Sequence, residues 1–171
     1  MFLENAWYVA ALSADITRTP FAVKMLKQNL VLYRKLDGSV VALEDSCPHR
    51  RLPLSKGRVV EDTLECGYHG LRFDCSGACV QAPSSKHIPR SAVVRHYPAV
   101  EKYGMIWVWM GDSAQANPAD IIEIKEWDDP QWGVNRGDAM EMACNYLYIT
   151  DNLLDPSHVT WVHQGSFGSS D

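Results

Sequence analysis

The sequence has no apolar run of the ~20 residues needed to span a bilayer. It has no excess of basic charge either: 16 Lys and Arg stand against 21 Asp and Glu, a net charge of −5. Electrostatics therefore give no reason to expect nucleic acid or a membrane surface as a partner. The opening Met1-Phe2-Leu3-Glu4-Asn5 has neither a basic n-region nor a long apolar h-region. That is not the pattern of a secretory signal, and the cytoplasm is the expected compartment. Internal repeats and low-complexity tracts are also missing. A disordered chain is excluded, because 46% hydrophobic and 22% charged residues over 171 positions is an ordinary globular composition. The length suits one domain, or one domain and the start of another. The five cysteines are an odd number, so they cannot all pair. In a cytoplasmic chain they are expected as thiols or metal ligands.

What is present in the first two thirds reads as β structure. Leu30–Leu36 and Val40–Glu44 flank the turn signal Asp37-Gly38. Leu64–Cys66, Leu71–Phe73 and Ala78–Gln81 are short runs, the last two separated by Asp74-Cys75-Ser76-Gly77. Val93–Val100 and Met105–Met110 form a further hairpin around Lys102-Tyr103-Gly104. Short strands at this spacing predict an antiparallel sandwich or barrel, the sandwich being the expected fold class. After Gly111 the character changes. Residues 113–126 read as a linker with one helical turn, and Trp127–Gly137 as an irregular, packed segment. From Asn145 a helix is expected, with Tyr146, Ile149, Leu153 and Leu154 at helical spacing. Asp155-Pro156 fits an N-cap with Pro at the first helical position, opening a second short helix to about His163. The expected division is a mainly β domain over 1–112, a linker over 113–126, and the N-terminal part of an α+β domain over 127–171.

Cys47-Pro48-His49 and Cys66-Gly67-Tyr68-His69 carry the strongest chemical signal, with 16 residues between His49 and Cys66. Each pair offers one thiolate and one imidazole, and each follows a strand run. Four unrelated residues are one reading, since Cys is often a small buried hydrophobe. Structural zinc is a second, because two sulfurs and two nitrogens suit it. Common zinc modules, however, pair Cys with Cys and His with His. The third is a Rieske [2Fe–2S] cluster, with two Cys on one iron and two His on the other. In that reading Cys47 and Cys66 hold the buried iron, and His49 and His69 the outer one.

Cys47-Pro48-His49-Arg50 and Cys66-Gly67-Tyr68-His69-Gly70 resemble the Rieske motif of bacterial ring-hydroxylating oxygenases. Asn5-Ala6-Trp7-Tyr8-Val9-Ala10, Ile106-Trp107-Val108-Trp109 and Gly111-Asp112 narrow the resemblance. They are similar to the oxygenase components of the vanillate O-demethylase, dicamba O-demethylase and toluenesulfonate monooxygenase group. Arg51 departs from that pattern, where a small residue is common, and places a cation beside the cluster. Respiratory Rieske proteins carry a further Cys in each cluster loop. The corresponding positions here are Leu52 and Tyr68, which favours the oxygenase or ferredoxin branch. Cys75, Cys79 and Cys144 are then expected to be small buried thiols, and His87 and His96 surface or packing residues.

The second constellation is Asp151 to His163. Two His five apart lie ~140° apart on a regular helix, so sharing a metal needs a helix end or a widened turn. Asp155 and His158, three apart, can touch on one face. That suits a carboxylate that orients an imidazole ligand. In isolation this stretch reads as an amphipathic helix with incidental His. The resemblance implies instead that His158 and His163 are two ligands of a 2-His-1-carboxylate iron(II) site. It makes Asp155 an electron-transfer bridge and places Asn152 near the iron. The third, carboxylate ligand is expected from outside this chain, Asp171 being too early. The chain is accordingly expected to be an oxygenase cut short.

The resemblance further implies a cluster fed by an NAD(P)H-dependent flavin/iron-sulfur reductase or a ferredoxin, and an iron site that uses O₂ on an aromatic substrate. Monooxygenation of a methoxy carbon gives a hemiacetal that collapses to a phenol and formaldehyde; ring hydroxylation is the related outcome. A homotrimer is implied, with Asp155 joining His69 of one subunit to His158 of the next. The alternative is a Rieske ferredoxin-type electron carrier without catalytic iron. Residues 1–112 fit that nearly as well, but it gives no purpose to Asp151–His163.

Overall fold

The computed structural model describes residues 2–85, 87–134, 137, 140–166 and 168. Two compact units are present, Met1–Val134 and Asn135–Asp171.

Among the described residues the first unit holds eleven strands in three antiparallel sheets. Its middle sheet comprises β2 (Phe21–Met25), β3 (Gln28–Arg34), β4 (Val40–Glu44) and β9 (His96–Tyr97), in that order. Successive side chains of a strand point to opposite faces. On β3, Val31 and Tyr33 therefore enter one core, while Leu30 and Leu32 enter another. All four are fully buried, which explains why β3 reads as a continuous apolar run rather than an alternating one. The pairs Val31↔Leu43 and Tyr33↔Val41 extend the first core, and Leu32↔Ala42 the second.

The second core is closed by β1 (Ala6–Leu12), β10 (Ala99–Lys102) and β11 (Met105–Met110), in the order β1-β11-β10. Trp7 and Trp109 are register partners whose rings meet edge-on, centroids 5.5 Å apart. The stretches that carried the resemblance at the two ends of this sheet touch: Asp112 N donates to Asn5 Oδ1 at 2.8 Å, and a Cβ on Gly111 would collide with Asn5.

The first core is closed by β5 (Arg58–Val60), β6 (Thr63–Glu65), β7 (Arg72–Phe73) and β8 (Cys79–Gln81). Leu64 and Phe73, paired across β6 and β7, fill it together with Leu54. Each such side chain contributes at most ~1.5–3 kcal/mol of burial free energy.

Residues 113–126 belong to the first unit and pack against its strands and turns. They contain two short 3₁₀ turns, Ser113–Gln115 and Pro118–Asp120. Trp7 Nε1 donates to Asn117 O, Ile124 N donates to Tyr103 Oη, and Ile121 is buried. Trp127 stacks edge-on against Tyr103 at 5.3 Å, whereas Trp132 is exposed.

The second unit contains α1 (Tyr146–Leu154), a 3₁₀ turn Pro156–His158, and α2 (Val159–Val162). Asn145 caps α1 by accepting from Leu147 N. Asp155 caps the following turn by accepting from Ser157 N, with Pro156 at its first position, as the sequence predicts. Leu153, Leu154, Trp161 and Val162 are exposed. Among the described residues no helix is long and apolar enough to cross a membrane.

Candidate metal centres

The two Cys-His loops follow β4 and β6 and close by the same backbone pattern. In the first, Cys47 N donates to Leu52 O and Arg51 N to Cys47 O, at 2.9 and 2.8 Å. In the second, Cys66 N donates to Leu71 O and Gly70 N to Cys66 O, at 2.8 and 3.0 Å. Both loops need a left-handed residue four positions after the Cys: Arg51 has φ 58° and Gly70 φ 70°. Glycine takes that conformation freely, whereas an L side chain costs ~1–2 kcal/mol there.

The loops arrange the four side chains as two unlike pairs. Cys47 and Cys66 belong to the first core and are each only 2% exposed. His49 and His69 are exposed, their ring centroids 4.7 Å apart. Tyr68 stacks on His69 at 3.9 Å. Burial pushes the Cys47 thiol up, and the neighbouring Cys66 thiol adds to this. The backbone N–H groups of His49 and Arg50 face the sulfur and pull the other way. Such N–H donors are one of the protein's means of tuning an iron–sulfur potential.

Among the described residues no three His, Cys, Asp or Glu side chains converge on one point. Two buried thiols and two exposed imidazoles are the donor set of a [2Fe–2S] cluster with two thiolates on one iron and two imidazoles on the other. A cleft of 440 Å³ opens beside the imidazoles, lined by Pro48, His49, His69, Leu71, Ser85 and His87 among others. His96 is exposed on β9. Cys79 is half-buried, but Cys75 and Cys144 are exposed rather than buried; Cys75 sits on the Asp74–Gly77 turn, where nothing covers it.

In the second unit His158 and His163 approach to 5.4 Å between centroids. A regular helix would splay them. Here His158 ends the 3₁₀ turn and His163 caps the C-terminus of α2 with φ −105° and ψ 23°, so the two rings swing together. His158 Nδ1 lies 2.5 Å from the Asp155 backbone carbonyl. A carbonyl only accepts, so the proton is on Nδ1 and Nε2 is left with its lone pair for a metal. Asn152 Nδ2 lies 3.4 Å from that Nε2.

The expected contact between the Asp155 carboxylate and His158 takes a different form. The backbone oxygen meets the imidazole, while Oδ1 accepts from Ser157 N and Oγ at 3.0 and 2.5 Å. These bonds, the hydroxyl's first, hold the carboxyl below its usual range. Oδ2 takes no hydrogen bond among the described residues. Asp171 lies outside them. Sequence reasoning did not single out Asp45, Ser55 or Gly57, which support the first loop; a lone Asp, Ser or Gly beside a motif carries no distinctive spacing.

Comparison with known proteins identifies the family. Residues 6–98 match the Rieske [2Fe-2S] domain family, and residues 142–171 the vanillate O-demethylase oxygenase C-terminal domain. A toluene-4-sulfonate monooxygenase system iron-sulfur subunit of Comamonas testosteroni is 44% identical over 170 residues, covering 99% of this chain and 49% of the relative. A vanillate O-demethylase oxygenase subunit of Pseudomonas sp. (strain HR199 / DSM 7063) is 40% identical over 171 residues, covering 100% and 48%. The crystal structure of dicamba monooxygenase bound to dicamba superposes with a TM-score of 0.90 at 43% identity, covering 95% of this chain and 49% of that one. The chain thus spans about half the length of the curated relatives it matches. A Rieske domain is the seat of a [2Fe–2S] cluster, and the related dicamba monooxygenase has been solved with non-heme iron. With loops, paired ligand types and sequence in agreement, the chain belongs to the Rieske [2Fe-2S] domain family, within the group of oxygenase components that includes those of vanillate O-demethylase and dicamba O-demethylase.

Proposed function

We propose that Cys47, His49, Cys66 and His69 hold the Rieske cluster, and that His158 and His163 supply two ligands of a mononuclear iron(II) in an oxygenase that O-demethylates or hydroxylates an aromatic compound. The observation that carries this reading is the pairing of two buried thiols with two exposed imidazoles on loops of one design. Bound, the cluster stores one electron at a time and the iron activates O₂.

The chain's own residues serve that chemistry in identifiable ways. The buried thiols keep water from one side of the cluster, and the exposed imidazoles form the edge that faces partners. Asp155 holds the turn that presents His158, fixes its tautomer through the backbone carbonyl, and keeps Oδ2 for a further partner. Asn152 sits beside the ligating nitrogen and is the chain's contribution to the space around the metal. The electron source in this reading is a reductase or ferredoxin, and the assembly is a homotrimer in which Asp155 bridges two subunits. Residues 1–112 form the cluster domain, 113–126 the connection, and 127–171 part of the catalytic domain. The carrier alternative leaves the match at residues 142–171 without a role.

Product analysis tests the proposal. The protein as made in its host, given a reductase, NADH, O₂ and a panel of methoxylated benzoates, should release formaldehyde in step with NADH oxidation. Hydroxylated product without formaldehyde selects ring hydroxylation. NADH-dependent reduction of the cluster with no oxygenated product from any aromatic selects the carrier.

A further inference from the structure

Asp45 is the one buried charged residue among those described, 8% exposed, and it lies two positions before Cys47. Its carboxylate is fully committed to one residue: Oδ1 accepts from Ser55 N and Oδ2 from Ser55 Oγ, both at 2.7 Å. Its own N–H donates to Asn29 O on β3 at 2.9 Å. A carboxylate taken out of water needs such partners, and hydrogen bonds to a charged group are among the stronger ones.

Ser55 lies at the centre of the 3₁₀ turn Leu54–Lys56, whose Leu54 is fully buried in the first core. That turn is in backbone contact with the second cluster loop. A Cβ on Gly57 would lie 1.9 Å from Glu65 O, and a Cβ on Gly67 would lie 2.9 Å from Lys56 O. The clamp therefore joins the entry of the first loop to the segment that abuts the second.

We infer that Asp45 is a positioning residue for the cluster: through Ser55 it fixes the separation of the Cys47 and Cys66 loops. The inference rests on the proposed ligand set. It assigns Asp45 no contact with the metal, only control of where Cys47 and His49 stand relative to Cys66 and His69.

The experiment uses the cluster-loaded chain and compares wild type with Asp45→Asn, Asp45→Ala, Ser55→Ala and the double Ala variant. Cluster loss into excess iron chelator is followed by visible absorbance, and the reduced cluster by electron paramagnetic resonance. Asp45→Ala removes both bonds and should lose the cluster at least tenfold faster; Ser55→Ala removes only the hydroxyl's, leaving Ser55 N to donate to Oδ1, and should lose it about threefold to tenfold faster. Their resonance lines should broaden as the ligands spread over several positions. Asp45→Asn should behave as wild type, because its amide oxygen accepts from Ser55 N and its NH₂ donates to Ser55 Oγ. The double variant should be no worse than Asp45→Ala, since removing the carboxylate already removes the bond that Ser55→Ala breaks. Wild-type loss rates and line shapes in Ser55→Ala would overturn the inference, as would Asp45→Asn failing as badly as Asp45→Ala. Should Asp45→Ala not fold, Ser55→Ala and Asp45→Asn still decide. Iron-free wild-type protein would instead overturn the ligand set itself.

Discussion

Gly57→Ala is the substitution whose outcome the structure constrains most tightly. The added Cβ would lie 1.9 Å from Glu65 O, against an ordinary contact of 3.4 Å, and 3.1 Å from Leu54 O on the other side. Both neighbours are backbone atoms, so no rotamer change relieves the overlap. The Leu54–Gly57 turn must move away from β6, directly before Cys66. Overpacking of this kind costs ~1–3 kcal/mol where side chains can yield, and more where they cannot. We expect at least ~3 kcal/mol here. For a chain of this size that lowers the melting temperature by roughly 6–12 °C. Gly38→Ala is the control. It has φ +84° but nothing within 4 Å, so only the left-handed conformation is penalised, by ~1–2 kcal/mol. Thermal unfolding of cluster-free protein by circular dichroism measures both. Cluster content after reconstitution should fall in Gly57→Ala and hold in Gly38→Ala. Equal melting temperatures for the two variants would refute the argument, because they would mean that the turn and β6 are not in contact.

Purified protein should contain two irons and two acid-labile sulfides per cluster, beyond any iron held at His158 and His163, and be red-brown; stoichiometric zinc in anaerobically prepared samples would defeat the ligand assignment. His69→Cys should keep a cluster at a lower potential, measured by redox titration, since thiolates in place of imidazoles lower Rieske potentials. Arg34 holds the Glu101 carboxyl below its usual range, chiefly through their side-chain hydrogen bond at 2.6 Å. A depressed pKa stabilises the fold above the unfolded value of ~4.3, and that contribution disappears as pH falls through the folded value. Glu101 is 44% exposed, so the effect stays below ~1 kcal/mol and shrinks in 1 M salt; Glu101→Gln should flatten the pH 3–5 slope of urea midpoints, and an unchanged slope would show that Glu101 is not its source. Arg51→Gly should raise the melting temperature slightly, as relief of the left-handed residue outweighs added chain entropy; a fall would show that the Arg51 side chain stabilises the loop.

The middle of the fold was legible because periodicity and turn chemistry agree there. Val40–Glu44 is a strand with the predicted bounds, and the Asp37-Gly38 and Asp74–Gly77 turns form with left-handed Gly38 and Gly77. The predicted Leu30–Leu36 strand is shifted to Gln28–Arg34, because Leu26 and Lys27 turn the chain despite having no turn propensity. β1 and β2 were missed: Ala6–Leu12 and Phe21–Met25 are exposed or half-buried along much of their length, so their apolar pattern is weak. Their strand state comes from pairing with β11 and β3, which a local reading does not see. The linker expected over 113–126 reads as polar, yet Trp7 and Ile121 hold it to the first unit. Of the four thiols and imidazoles, spacing identified the residues but gave no hint of the Asp45–Ser55 clamp. That clamp depends on a buried contact between residues ten apart.

The two loops also explain why the motifs differ by one residue. Each closes between the Cys and the fifth residue after it, so their lengths are equal. The imidazole nevertheless comes two residues after Cys47 and three after Cys66, and the rings still converge to 4.7 Å. Two identical loops facing one another would carry their His to equivalent sides. Shifting one by a residue lets both point to the same exposed edge while both sulfurs stay buried. The shift has a steric consequence. In the second loop the residue after Cys passes 2.9 Å from Lys56 O, measured to where a Cβ would be, and only Gly fits without displacing the turn. In the first loop that position is Pro48, whose fixed φ suits a shorter path to His49. Pro48 and Gly67 are thus set by the same requirement as the placing of His49 and His69 themselves. Arg51 is not: the loop asks only for a left-handed residue there, and Gly70 shows the unstrained solution.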